Sequence, residues 1–518
     1  DGVDVLIGMA GKESISELKD VHPDGCVLYD SRSAAEVKPE ESLAAHIPME
    51  VHGYGIPMQR LANEATGSNQ GKNLVTMGVL CHLYDLPIDI FTSHISRIFS
   101  KKGNKVVESN IKALTLGYNY CKEHYPLNRQ FEIKEGMQSR TLISGNEALC
   151  KGALDCGLKF FAGYPITPAT KIMEIAAKEL PKIDGWTIQV EDEIAAIAAV
   201  LGASFTGKRA MTATAGPGLS LMTEMLNHAI MAEIPAVIID VQRGGPSTGL
   251  PTKVEQGDLN LALFGGAGDS PRVVMAPSDS EECYSGIQLA FDIAEKYQTP
   301  VIFLSDLFLG QRIETVNIQD NVDHNRCARK KPGQKDLEDY QRYKITEDGV
   351  SPLLVPGEEG AFYTITGLEH TIHGTPNYES EVHQMMTAKR FRKFQSMNDD
   401  LPQADIIGDE DAEIGIASWG STIGAVLDGM ELARKNGVKS KLIKSIMINP
   451  QHEESFRKFF NSCKKIIVPE MNYQGQYASL LKSRYGIRPI EMHIPSVHPV
   501  SPVKIARQIL EVHNEETK

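Results

Sequence analysis

The stretch KFFAGYPITPATKIMEIAAKELPKIDGWTIQVEDEIAAIAAVLGASFTGKRAMTAT, residues 159–214, decides the fold class of this chain. Short apolar runs at 159–162, 187–190 and 210–214 read as strands. The intervening segments, 169–180 and 192–205, place apolar residues at helical spacing. Alternation of this pitch implies βαβ crossovers, and so a parallel sheet covered on both faces. The pattern extends outward in both directions. A helix is expected over 146–157, and beyond 214 come a helix at 219–231, a strand at 236–241, a strand at 273–275, a helix at 280–297 and a strand at 300–304. Residues 140–312 are therefore read as one doubly wound α/β domain.

The flanks differ from this centre. Apolar runs at 3–9 and 26–29 and helical spacing at 73–84 and 111–120 make residues 1–135 a separate α/β unit. Residues 122–138, charged and interrupted by Pro126, read as a linker. Residues 313–405 are polar, carry charge clusters at 326–335 and 389–393, and read as an irregular connection. Strands at 414–418, 441–447 and 466–469 with helices at 423–436 and 503–512 make residues 406–518 a second, smaller α/β domain. A length of 518 residues accommodates three or four such units at roughly 150 residues each.

Composition narrows the function classes. With 42% hydrophobic and 23% charged residues the chain is neither disordered nor fibrous. Its net charge of -14 repels a polyanion, which excludes nucleic acid as an expected partner. The longest apolar stretch, residues 194–203, is about half of the ~20 needed to span a bilayer, and no membrane contact is expected. The N-terminus lacks a basic signal-peptide region and opens without Met on an apolar strand, so sequence is expected to precede it. Eight Cys without a CxxC pair argue against a disulfide scaffold, a zinc site or an iron-sulfur site, and point to a reducing, cytoplasmic compartment.

Two glycine patterns are set aside. Residues 202–208 spell GxxxxGK, but Arg209 stands where a phosphate-binding loop needs Ser or Thr, and the motif follows a helix instead of a strand. Gly265, Gly266 and Gly268 lack dinucleotide-binding spacing. Three other places carry candidate chemistry. In GYPITPAT, residues 163–170, Pro165 and Pro168 stiffen a loop that offers the Thr167 hydroxyl and N–H at a helix start, either to a carboxylate or phosphate or as a plain N-cap. Glu191, Asp192 and Glu193 open a helix that is apolar all round and so expected to be buried. Two of these acids are explained by capping, whereas Glu193 faces Ala196, Ile197 and Val200. Arg243 follows the strand at 236–241 and precedes GGPSTG. It sits where a doubly wound sheet binds ligands, or else it forms a surface salt bridge.

In combination, GYPITPAT, VEDEIAAIAAVLGAS, TATAGPGLSLMTE (212–224), RGGPSTGLPT (243–252) and PEMNYQGQ (469–476) resemble the α subunit of 2-oxoacid:ferredoxin oxidoreductases over residues 140 to 510. Residues 1–135 resemble that family's γ domain fused ahead of the α part, as in the two-subunit enzymes acting on 2-oxoglutarate. The resemblance implies thiamine-diphosphate-type doubly wound parallel sheets: a pyrimidine-binding domain at 140–312 and a transketolase C-terminal-like domain at 406–518. It implies oxidative decarboxylation of 2-oxoglutarate to succinyl-CoA, with coenzyme A as cosubstrate and ferredoxin as electron acceptor. Other readings are a pyruvate- or indolepyruvate-specific homologue and a non-catalytic scaffold. By motif position Glu193 is the catalytic residue, hydrogen-bonded to N1′ of the aminopyrimidine. Tyr164, Pro165 and Ile166 help to bind the cofactor, while Thr167 and Arg243 hold the substrate carboxylate. The chain has no GDGx...N motif and no Cys cluster. The resemblance therefore assigns Mg²⁺ and a [4Fe-4S] cluster to a β subunit, gives this chain no metal, and implies a heterotetramer, a dimer of heterodimers.

Overall fold

The computed structural model describes residues 2–9, 14–31, 42–128, 136, 140–318, 328–494 and 497–516. It divides into two units, residues 1–139 and 140–518. In the first, strands Val3–Gly8, Val21–Asp30 and His52–Ile56 form a parallel sheet. Leu28 and Ile56 pack there with Val75 and Val79 of helix Lys72–Leu83 and Ala113 of helix Asn104–His124. The strand His52–Ile56 and helices Met58–Thr66 and Ile88–Phe99 go beyond the sequence reading. Of the expected linker, residues 122–124 complete the helix Asn104–His124, and 129–135 and 137–138 lie outside the described residues.

The second unit is built on a seven-stranded sheet. From one edge its order is Met447–Asn449, Val273–Met275, Pro300–Asp306, Ala236–Gln242, Ala210–Thr214, Phe160–Gly163 and Trp186–Gln189. Every pairing is parallel except that of Met447–Asn449 with Val273–Met275. Side chains alternate between two cores, Val237, Ile239 and Val241 entering one and Ala236 and Ile238 the other. That double burial is why these strands read as continuous apolar runs.

The second core continues without a break into the C-terminal part, where Phe456, Tyr477 and Leu481 join it. There a five-stranded sheet runs Asp405–Gly408, Lys441–Lys444, Ile414–Ala417, Lys465–Glu470 and Ile490–His493. The single strand expected at 441–447 is in fact two. The chain leaves the smaller sheet after Lys444, and Met447–Asn449 crosses to the edge of the larger one, so the two sheets share a chain segment.

The connection is irregular over 338–379 but ends in a helix, Ser380–Ser396, that the sequence reading did not anticipate. Its inward face is cationic. Lys389 and Lys393, one helical turn apart and both buried, close on Glu233, with Lys389 Nζ at 2.6 and 2.7 Å from its carboxylate oxygens and Lys393 Nζ at 2.6 Å. Arg342, equally buried, donates to the carbonyls of Ala232 and Glu233. Three cations thus surround one carboxylate. They hold Glu233 far below the usual range against the opposing effect of its own burial. Burial, aided by repulsion from Lys393 and Arg342 and opposed by Glu233, pushes Lys389 down to about 7.

Candidate active site

The chain enters the large sheet at Phe160–Gly163, steps outward to Trp186–Gln189, then returns to the other side of its first strand at Ala210–Thr214. The order reverses between Phe160–Gly163 and Ala210–Thr214. In an open α/β sheet, the crevice at the carboxyl ends of the strands at such a reversal is where ligands bind. Three segments that stood out in the sequence leave the sheet at or beside this point: GYPITPAT, the AGPG turn after Thr214, and the helix beginning at Glu193.

Asp192 caps that helix, its carboxylate accepting from Ala195 N–H at 2.8 Å, while Glu191 is exposed. Glu193 is 6% exposed and makes no hydrogen bond among the described residues. Its side chain lies against the N-terminus of helix Gly216–Met231. A Cβ at Gly218 would come within 1.9 Å of Thr214 Oγ1 and 2.6 Å of Glu193 Cγ and Oε1. Gly216 plays the same part on the other side, where a Cβ would come within 2.6 Å of both carboxylate oxygens of Asp258. The Gly-Pro-Gly start of the helix therefore lets two carboxylates approach its backbone, where the helix dipole favours negative charge.

The helix after Glu193 is not buried all round. Ile194 is 48% exposed and Ala198 is exposed as well, because only the face carrying Ala196, Ile197 and Val200 meets the sheet. Tyr164, Trp186, Ile188 and Leu221, on the neighbouring elements, also reach solvent.

Thr167 is not an N-cap, since helix Thr170–Glu179 is preceded by Ala169. Its carbonyl accepts from Arg243 Nη1 at 2.5 Å, and Arg243 Nη2 donates to the Thr248 carbonyl at 3.2 Å. Arg243 is thus a bridge between the GYPITP and GGPSTG loops. It is 7% exposed, with Nε unpartnered, and makes no salt bridge among the described residues. Tyr164, Pro165 and Thr167 are exposed, and Ile166 packs onto the core beneath them.

Arg243 lines a cleft of about 370 Å³ together with Gly216, Ser220, Glu255, Asp258, Asn472 and Gln476. The PEMNYQGQ segment makes its far wall. Glu470 accepts from Tyr477 N–H at 2.7 Å, Ala478 N–H at 2.9 Å and Asn472 Nδ2 at 2.8 Å, which stiffens the turn into helix Gln476–Tyr485. Asn472 and Gln476 then donate to the carbonyls of Gln256 and Gly257, tying the smaller sheet to the loop that carries Asp258.

Two acids here went unread in the sequence. Asp240 is fully buried in AVIIDVQ, with neither carboxylate oxygen hydrogen-bonded to a donor of the described residues. Asp258 lies within hydrogen-bond reach of it and lines the cleft. Burial raises both: at Asp240 the charge and hydrogen bonding of Asp258 add to it, and at Asp258, raised to about 6, Glu255 adds to it while the hydrogen bond from Asp240 and the charge of Arg243 oppose it. An acid inside an otherwise apolar strand was the available signal for Asp240; nothing local marks Asp258.

The set-aside glycines are structural. Gly202 lies inside helix Glu193–Phe205, and Gly265 caps the short helix Leu259–Phe264. Among the described residues no group of three or more His, Cys, Asp and Glu is arranged to hold a metal ion; Cys327 lies outside them. No helix among them is long and apolar enough to cross a membrane.

Comparison with known proteins matches residues 151–389 to the thiamine-diphosphate-binding family described as pyruvate flavodoxin/ferredoxin oxidoreductase, and residues 1–120 to the pyruvate ferredoxin/flavodoxin oxidoreductase family. A 2-oxoglutarate synthase subunit KorA of Methanocaldococcus jannaschii is 40% identical over 64% of this chain and 88% of its own length. The chain belongs to the 2-oxoacid:ferredoxin oxidoreductases. Another such relative, 2-oxoglutarate oxidoreductase subunit KorA of Mycobacterium tuberculosis, is 35% identical over 94% of this chain and 77% of its own. The 2-oxoglutarate:ferredoxin oxidoreductase from Magnetococcus marinus, solved with 2-oxoglutarate, coenzyme A and succinyl-CoA bound, superposes with a TM-score of 0.91 at 38% identity, covering 99% of this chain and 88% of that one. The oxidoreductase fold expected from the sequence motifs is thereby established, and the family is one of multi-subunit enzymes.

Proposed function

We propose that this chain is the α subunit, with fused γ domain, of a coenzyme-A-acylating 2-oxoacid:ferredoxin oxidoreductase that converts 2-oxoglutarate to succinyl-CoA and CO₂ and passes two electrons to ferredoxin. Residues 140–312 serve as the pyrimidine-binding domain and 406–518 as the transketolase C-terminal-like domain. The observation that carries the reading is Glu193: an acid almost wholly buried, pressed onto Gly218 at the sheet reversal, and lacking a donor among the described residues.

That arrangement fits an aminopyrimidine, which offers what an isolated buried carboxyl lacks, a ring nitrogen to share a hydrogen bond. Thiamine diphosphate, when bound, supplies the carbon nucleophile for the keto group and the electron sink for loss of CO₂. Glu193 would hold N1′ of the aminopyrimidine and so would favour its imino form. Tyr164, Pro165 and Ile166 would form the rigid edge against which the ring seats. Arg243 uses two of its five N–H groups on the Thr167 and Thr248 carbonyls, which orients the guanidinium and leaves the rest for a substrate carboxylate beside the Thr167 hydroxyl.

A β subunit provides the diphosphate-Mg²⁺ site and the [4Fe-4S] cluster. The exposed apolar residues Tyr164, Ile188, Ile194 and Leu221, on the elements around Glu193, support a partner surface there. The assembly is a dimer of heterodimers in the cytoplasm.

The test is viologen reduction by the chain reconstituted with its β subunit, thiamine diphosphate, Mg²⁺ and coenzyme A, over a panel of 2-oxoacids. The highest kcat/KM is expected for 2-oxoglutarate. Preference for pyruvate or indolepyruvate reassigns the substrate, and no thiamine-dependent reduction with any acid overturns the enzymatic reading.

A further inference from the structure

The cleft that holds Arg243 also holds more negative charge than that one cation balances. Among its described lining residues Arg243 is the single cation, facing Glu255 and Asp258. Glu255 is engaged, accepting from Gly245 N–H at 2.8 Å. Asp258 has its backbone N–H on Gln242 Oε1 at 3.2 Å, but its Oδ2 has no protein donor among the described residues. Behind it stands Asp240, fully buried at the end of the central strand and equally without a donor.

Two carboxyl groups in contact, one fully buried and the other half-buried, with no donor but each other among the described residues, do not readily both ionise; a proton between them satisfies one oxygen of each. We propose that Asp240 and Asp258 form a proton-sharing pair, and that a carboxylate seated against Arg243 enters the cleft together with a second proton taken up by that pair. The proposal rests on the reading of this cleft as the substrate site.

Charge counting gives the reason. With one proton on the pair, Arg243, Glu255 and the pair together carry one net negative charge, and an entering anion is repelled. A second proton on Asp258 cancels that charge and leaves Arg243 to act. Of the groups facing Asp258, Glu255 favours its protonation, whereas the hydrogen bond from Asp240 and the charge of Arg243 oppose it. A bound anion neutralises Arg243 and so removes one of the two opposing influences. Asp258, already raised by its burial to about 6, then titrates into the physiological range. Asp240 is a positioning residue, because it reaches the ligand only through Asp258.

The test uses the holoenzyme and two carboxylates with no keto carbon to attack, 2-hydroxyglutarate and lactate, titrated calorimetrically at pH 7.5 in phosphate and in Tris. Up to one proton is expected to be taken up per carboxylate bound, seen as a difference in heat between the buffers. Kd should weaken by up to about tenfold per pH unit above neutrality. Asp258→Asn should bind about tenfold tighter than wild type at pH 8, with no proton uptake and a flat pH profile. Asp240→Asn, whose amide donates to Asp258 without titrating, should hold Asp258 ionised, bind weakly and also take up no proton. Equal heats in the two buffers for wild type, or an unchanged pH slope in Asp258→Asn, overturns the proposal. A merely structural pair would lower stability in both variants and leave the slope alone. Proton uptake with lactate but no binding of 2-hydroxyglutarate keeps the pair and rejects the 2-oxoglutarate reading; turnover of 2-oxoglutarate with no uptake does the reverse. If neither anion binds, both fail.

Discussion

Gly218→Ala is the sharpest single perturbation of the site, because its effect can be worked from contacts. Real Cβ atoms essentially never approach a heavy atom closer than 3.0 Å, yet the new methyl would lie 1.9 Å from Thr214 Oγ1 and 2.6 Å from Glu193 Cγ and Oε1. Thr214 must therefore open by about 1.1 Å and Glu193 by about 0.4 Å. Thr214 is fully buried in the strand Ala210–Thr214, so it has little room and much of the adjustment falls on the helix and on Glu193. Overpacking of this kind costs about 1–3 kcal/mol of stability. A displacement approaching 1 Å at a catalytic group costs about 10²-fold in rate. Viologen reduction by the reconstituted enzyme, with thermal unfolding of the chain alongside, measures both. Adding Thr214→Ala removes the worst overlap but not the contact with Glu193, so the double variant should regain stability while activity stays low. If Gly218→Ala keeps kcat within threefold of wild type at an unchanged Tm, the close approach of Glu193 to this helix has no catalytic meaning.

Other expectations follow the same logic. Glu193→Gln should lower kcat by at least about 10²-fold with assembly intact, whereas Glu191→Gln, at an exposed position, should change it little; the same assay with size-exclusion chromatography decides. Arg243→Lys loses the planar fork that spans the Thr167 and Thr248 carbonyls, so kcat/KM for the 2-oxoacid should fall at least tenfold with thiamine diphosphate affinity retained, and an unchanged kcat/KM puts Arg243 outside the site. Glu233→Gln strands three buried cations and should cost about 3–5 kcal/mol in urea denaturation at pH 7. Because Lys389 is pushed down to about 7 from an ordinary 10.5, the folded state binds fewer protons than the unfolded one between those values. Its contribution to stability is therefore complete above pH 10.5 and is lost as pH falls towards 7. The loss in Glu233→Gln should accordingly shrink at pH 9.5, and a penalty independent of pH would refute the charge argument.

The sequence by itself determined the doubly wound centre. Strands such as 210–214 and 236–241 are buried on both faces, so burial alone writes them as apolar runs, and the helices between them keep a helical period wherever the face they bury is apolar. The same rule explains the failure at Ser380–Ser396. That helix buries lysines against Glu233, and the chemistry that holds it, a carboxylate 156 positions before Lys389 along the chain, leaves no apolar stripe to read. The split of 441–447 between two sheets was equally invisible, because a strand's partner is set by what lies beside it in space, not by its own composition. At the site, the motifs marked Glu193, Thr167 and Arg243, each conspicuous for a charged or polar group in an apolar or rigid setting. What the tertiary structure decided was their relation: Arg243 on the Thr167 carbonyl, Glu193 on Gly218, and the meeting of Asp240 with Asp258, eighteen residues apart. Hydrogen bonding and proton sharing act over a few ångströms. Only the fold, by bringing strand ends and loops to one reversal of the sheet, sets which groups come within that range.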